Sequence, residues 1–153
     1  MSQNWVLSER SRAKLAHVDE KLVATVKRAL ELSPVDFGVT EGKRTIERQK
    51  ELVARGLSQT MNSKHLEGNA VDLVAYFPAG RVCWELSIYD DVADAMKQAA
   101  KETGAAIRWG AAWHVPDIRF WEGTMEDAMN SYIDLRRSEG RRPFIDAPHF
   151  ELS

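Results

Sequence analysis

The feature that most constrains this chain is an aspartate set inside an apolar run. From Ala70 to Phe77 the residues read Ala-Val-Asp-Leu-Val-Ala-Tyr-Phe, rich in β-formers and free of Gly and Pro, which is the pattern of a buried strand. A carboxylate inside such a strand needs a partner, a proton or a metal, because an unpaired buried charge is costly. Just upstream, Ser63-Lys64-His65-Leu66-Glu67-Gly68-Asn69 places an imidazole seven residues before Asp72. Gly68, lying between them, lets the backbone turn His65 back beside the carboxylate. A second histidine follows near the C-terminus, in Asp146-Ala147-Pro148-His149-Phe150-Glu151-Leu152. His65, Asp72 and His149 can together form a three-ligand sphere with one open position, the arrangement of a catalytic zinc. Asp146, three residues before His149, is placed to stand near such an ion without binding it, where a hydrolase needs a proton acceptor.

The 153 residues are enough for one domain with a genuine core, and one domain over 1–153 is expected. A formal net charge of -2 gives no electrostatic case for a nucleic-acid partner. The single cysteine, Cys83, excludes an internal disulfide and a thiolate-rich metal site, and reads as a small apolar residue of a strand. The first ten residues, Met1 to Arg10, contain no apolar h-region, and no apolar stretch approaches the roughly 20 residues of a membrane span. The expectation is a monomer made in the cytoplasm without a signal peptide, and no membrane insertion.

Periodicity supplies the remaining elements. Ser8 caps a short helix carrying Leu15 and Val18, and an amphipathic helix runs from Asp19 to Leu32 until Ser33-Pro34 stops it. Val35 to Thr40 reads as a strand, Thr45 to Arg55 as a charged helix ended by Gly56, and Arg81 to Trp84 as a returning strand. A helix over Tyr89 to Thr103 and a strand over Ala106 to Trp109 follow. Gly110 to Gly123 reads as an aromatic loop, Thr124 starts a helix that gives way at Gly140, and Pro143 to Leu152 reads as the last strand. Helices between short strands joined by tight turns indicate an α+β fold with a small, mostly antiparallel sheet.

Ser-Lys-His-Leu-Glu-Gly-Asn-Ala-Val-Asp-Leu and Asp-Ala-Pro-His-Phe-Glu-Leu resemble the two zinc motifs of the M15 family of metallopeptidases. That family includes D-Ala-D-Ala carboxypeptidases and dipeptidases, and phage endolysins that cut L-Ala-D-Glu in peptidoglycan. Val39 to Gln49 is similar to the arginine segment of the endolysin branch, and Ile107-Arg108-Trp109-Gly110 to the start of its Trp-Gly-Gly-Asp-Trp motif. The resemblance runs from about Leu7 to the C-terminus. It implies the compact α+β fold shared by Hedgehog signalling domains and DD-peptidases, one zinc held by His65, Asp72 and His149, Asp146 as general base, and Arg44 as the residue that holds substrate and steadies the oxyanion. Ser63 and Gln49 match positions with supporting or substrate-contacting roles. The implied substrate is a peptidoglycan stem peptide, and the missing export signal suits an endolysin released to the wall by a separate permeabilising protein. D-Ala-D-Ala cleavage is the alternative within the family; a zinc-stabilised binding module without activity is the alternative outside it.

The chain departs from the family pattern in two places. Gly110-Ala111-Ala112-Trp113 stands where Gly-Gly-Asp-Trp is usual, and the segment from His114 to Arg142 is long. That segment is expected to form a flap or wall at the rim of the cleft, with Trp113, Phe120 and Trp121 packing on substrate and Arg136, Arg137, Arg141 and Arg142 meeting its carboxylates; the alternative is a surface insertion without a functional role, its arginines a solvated face. His17 and Glu67 read as surface residues, His114 as part of the cleft wall, and Glu151 as an acceptor that orients a ligand from behind.

Overall fold

Two amphipathic helices form the floor on which the sheet rests. In α2 (Glu20–Leu32), Asp19 caps the first turn by accepting from the amides of Lys21 and Leu22, and Leu22, Val26, Ala29 and Leu30 are buried. That stripe lies along α4 (Leu86–Thr103), which buries Tyr89, Val92, Met96, Ala99 and Ala100. The hydroxyls of Thr25 and Thr103 meet at 2.6 Å where the two helices pass. The computed structural model describes residues 5–58, 61–78 and 80–153.

The sheet is antiparallel throughout and contains β1 (Phe37–Glu41), β2 (Ala70–Tyr76), β3 (Val82–Cys83), β4 (Ile107–Trp109) and β5 (His149–Leu152). Its order is β1-β2-β5-β4, with the short β3 also paired to β2. β2 is therefore central, which explains its nearly unbroken apolar character. Its register sets Asp72 opposite His149 on one side and Glu41 on the other, the latter through an irregularity between Val39 and Glu41. The small antiparallel sheet and flanking helices are the α+β class expected from the sequence.

The structure departs from expectation most at two boundaries and in one segment. α4 begins at Leu86 rather than Tyr89, since the extended Glu85 already opens the helical turn. The last strand is confined to His149–Leu152, because Asp146 donates its amide to the Gly110 carbonyl and Pro148 gives its carbonyl to Leu73, committing 143–148 to a loop. The segment 114–142 is not a flap. It carries α5 (Met125–Ser138), capped by Thr124, which packs on α4 and buries Met125, Ala128, Met129 and Tyr132 in the common core. Ile118, on the 3-10 turn Ile118–Phe120, is wholly buried, while Phe120 is 76% exposed. Also present are α1 (Glu9–Lys14), α3 (Ile46–Ala54) and a second 3-10 turn, Lys64–Glu67. Among the described residues, no helix is long and apolar enough to cross a membrane.

Candidate metal centre and active-site cleft

His65 reaches the sheet on the 3-10 turn Lys64–Glu67, which Ser63 caps by accepting the His65 amide at 3.2 Å. The turn ends at Gly68 with φ +75°, where a Cβ would come within 2.4 Å of the His17 carbonyl oxygen. The His65 Nδ1 lies 2.8 Å from the Gly42 carbonyl, which can only accept, so Nδ1 carries the proton. The lone pair at Nε2 is left buried with no hydrogen-bond partner, 3.3 Å from Asp72 Oδ1.

His149 arrives from β5 in the opposite orientation. Its Nε2 lies 2.8 Å from Glu151 Oε1, and its Nδ1 lies 3.1 Å from the same Asp72 Oδ1. Potential ligand atoms of His65, Asp72 and His149 fall within 4.8 Å of one another. An orphaned buried imidazole nitrogen, a second imidazole fixed from behind and a shared carboxylate fit a divalent metal, and these three residues form a possible metal site. Burial alone would lower the His149 pKa, but its bonds to Asp72 and Glu151 outweigh that and raise it to about 9. Burial likewise works to raise the Asp72 pKa; the bond to His149 and the close approach of the His65 ring prevail, and its carboxyl stays well below the usual range.

Arg44 holds the far side of Asp72. Its Nη2 donates to Asp72 Oδ2 at 3.2 Å, its Nη1 donates to Gln49 Oε1 at 3.2 Å, and its Nε faces Glu41 at 3.7 Å. Gln49 is wholly buried on α3 and donates in turn to Ser58. Asp146 is fixed by its backbone, which donates to Gly110 and accepts from the His149 amide. Gly110 permits this closeness, as a Cβ there would stand 2.2 Å from the Asp146 carbonyl oxygen. Burial, then the neighbouring charge of Asp72, raises the Asp146 pKa above the ordinary aspartate value.

These groups open onto a cavity of about 550 Å³ whose walls include Arg44, Lys64, Trp113, Phe144, Asp146 and His149. The Trp113 ring centre is 5.5 Å from that of His149 and 6.2 Å from that of Phe144, and its indole N–H donates to the Phe144 carbonyl. Arg108 lies 5.4 Å from the centre of the Trp113 ring and donates to the Trp113 carbonyl, bracing the indole.

Of the residues singled out in the sequence, His65, Asp72 and His149 meet in one site, and Arg44, Ser63 and Asp146 line its cavity. Gln49 does not line it and acts instead on Arg44. Glu151 accepts from His149 as its alternation on the strand suggested. His114 is not on the cavity wall; its Nε2 pairs with Ser131 and its ring packs between Trp121 and Tyr132. Of the aromatic residues assigned to the rim, Trp113 lines the cavity while Phe120 and Trp121 do not, and none of the four arginines does. His17 and Glu67 are exposed. Lys64, Phe144 and Glu41 went unnoticed in the sequence. Glu41, three residues before Arg44, carried the one available signal, an acid spaced to meet that base.

Residues 3–153 match the family model described as phage L-alanyl-D-glutamate peptidase. The chain belongs to this family. It is 37% identical to the L-alanyl-D-glutamate peptidase of Escherichia phage T5 over 115 residues, taking in 72% of this chain and 83% of the relative. Among solved structures it resembles the L-Ala D-Glu endopeptidase ChiX of Serratia marcescens, with a TM-score of 0.71 and 36% sequence identity, covering 97% of this chain and 90% of that one. The family model thus spans nearly the whole chain, with the segment 114–142 and Ala111-Ala112 inside the matched residues.

Proposed function

We propose that this peptidase is a zinc enzyme that hydrolyses the L-Ala-D-Glu bond of peptidoglycan stem peptides. The observation that carries the reading is the convergence of His65, Asp72 and His149 in one cluster, with the half-buried Asp146 on the wall of the cavity that His65 and His149 also line. Two imidazoles and a carboxylate with no thiolate suit zinc, and membership of the family supplies the bond. His65 through Nε2, His149 through Nδ1 and Asp72 through Oδ1 would hold the ion. When bound, zinc supplies Lewis acidity, making water nucleophilic near neutral pH and polarising a carbonyl.

The chain's own groups perform the proton transfers and the positioning. Asp146, with its pKa raised, takes a proton from water as the oxygen adds to the alanyl carbonyl carbon. As the C–N bond breaks, the same proton passes to the departing glutamate nitrogen. Arg44, already fixed by Asp72 and Gln49, contributes positive charge where the carbonyl oxygen becomes negative. Trp113 and Phe144 give the cavity an aromatic wall on that side.

Elemental analysis of protein purified without added metal tests the zinc, and clearing of purified cell walls tests the activity. One zinc per chain, with clearing abolished by a chelator and restored by zinc, is the expected outcome. Clearing that persists at full rate in metal-free protein would overturn the reading.

A further inference from the structure

Lys64 stands apart from the other cations near the cleft. Arg44 is spent on Asp72, Gln49 and Glu41, and Arg108 lies behind Trp113, donating to its carbonyl. Lys64 lines the cavity, yet among the described residues it has no carboxylate within ion-pair distance. Its ammonium donates to the Leu152 carbonyl at 2.6 Å, which holds it over the β5 side of the site and leaves two of its three donors uncommitted. Its backbone is equally fixed, because it opens the 3-10 turn that carries His65. Besides Arg44, which is tied to Asp72 and Gln49, the cavity wall carries two carboxyl groups. Asp146 is present, and Glu151 is bonded to His149, its carboxyl held low by that bond, against burial, with a further contribution from Lys64.

On the reading that the scissile bond joins alanine to D-glutamate, the leaving residue has two carboxyl groups. Only one can continue the peptide chain, so the other is a free carboxylate close to the reacting nitrogen. Entering a cavity that holds Asp146 and Glu151, such a carboxylate is repelled unless a cation receives it. We propose that Lys64 binds this free carboxylate and makes the enzyme discriminate the free acid from its amide at the glutamyl residue after the scissile bond. In the amidated peptide the charge is gone, and Lys64 is left facing a neutral amide across the same gap.

The test uses two synthetic stem peptides, identical except that the free carboxyl of the D-glutamyl residue after L-Ala is left as the acid or converted to its primary amide, and measures kcat/KM for each with zinc-loaded protein. The wild type should prefer the acid roughly ten- to a hundredfold, the range that one charge-assisted hydrogen bond supports. Lys64→Met should bring the ratio close to one, chiefly through the KM of the acid peptide, and Lys64→Arg should keep most of it. Lys64→Gln, which retains a donor for the Leu152 carbonyl, should collapse the ratio in the same way and covers the case in which Lys64→Met fails to fold. In the wild type the KM of the acid peptide should rise with salt more steeply than that of the amide. A wild type that cleaves both peptides equally, or neutral variants that keep the wild-type ratio, overturns the role of Lys64 and leaves the bond assignment standing. A wild type that cleaves neither peptide overturns the bond assignment and this inference with it.

Discussion

Glu151 accepts from His149 Nε2 at 2.8 Å, and this single contact decides which nitrogen of His149 faces Asp72. With Nε2 protonated and held from behind, Nδ1 is the nitrogen left to bind an ion, while on the other side Gly42 makes the opposite choice for His65. The two histidines therefore present different ring nitrogens to one carboxylate oxygen. Both tautomers are set by acceptors outside the ligand set.

Removing that acceptor should loosen the metal without removing a ligand. Glu151→Ala is expected to weaken zinc binding by about ten- to a hundredfold, the usual cost of losing a partner behind a ligating histidine. Competition against a chromogenic chelator measures it. Wild-type affinity in the variant would show that the strand alone orients His149.

Binding and turnover should separate at Asp146. Its side chain faces the cavity, whereas the bonds it makes within the fold come from its backbone. Asp146→Asn should therefore keep its fold and its zinc while kcat falls by about 10² to 10⁴, the range for loss of a general base. Circular dichroism, metal content and wall-clearing rate on one preparation decide it. A variant that turns over at the wild-type rate removes Asp146 from the mechanism.

Away from the cleft, Asp90 on α4 is a buried liability. One of its carboxylate oxygens has no hydrogen-bond partner, and burial, followed by the charges of Glu126, Asp94 and Asp91, raises its pKa to about 6. A carboxyl with a raised pKa in the folded state favours the neutral form. Its contribution to stability is full below the unfolded value near 4 and is lost as the pH rises through 6. Asp90→Asn should accordingly stabilise the fold at pH 7, by at most about 3 kcal/mol, so that the thermal midpoint rises, and the gain should shrink towards pH 4. Calorimetry across that range checks the sign. An equal effect at pH 4 and pH 7 would mean that ionisation is not the cause.

The meeting of His65, Asp72 and His149 was legible because these residues break local rules. Asp72 interrupts an apolar strand, and Gly68 supplies the left-handed turn that His65 requires. Strand register then completes the work, since pairing β2 with β5 sets Asp72 opposite His149. What escaped notice depends on tertiary packing. The stretch 143–148 leads straight into the last strand, but the Asp146 amide is claimed by Gly110 and the Pro148 carbonyl by Leu73, so it stays a loop, and Phe144 lines the cavity. The segment 114–142 read as a flap because its aromatic and basic residues are conspicuous. Its quieter residues, Ile118, Met125 and Ala128, are the ones that fix it in the core. Lys64 had no signal, because a lysine beside a histidine says nothing until the Leu152 carbonyl is seen to hold it.

The most direct test of the whole account is the chemical identity of the ends it creates. Purified sacculi digested with zinc-loaded protein and analysed by mass spectrometry should release peptides with a new N-terminal D-glutamate, leaving L-alanine as the new C-terminus on the glycan. New ends at D-alanine, or an unaltered sacculus, would contradict it.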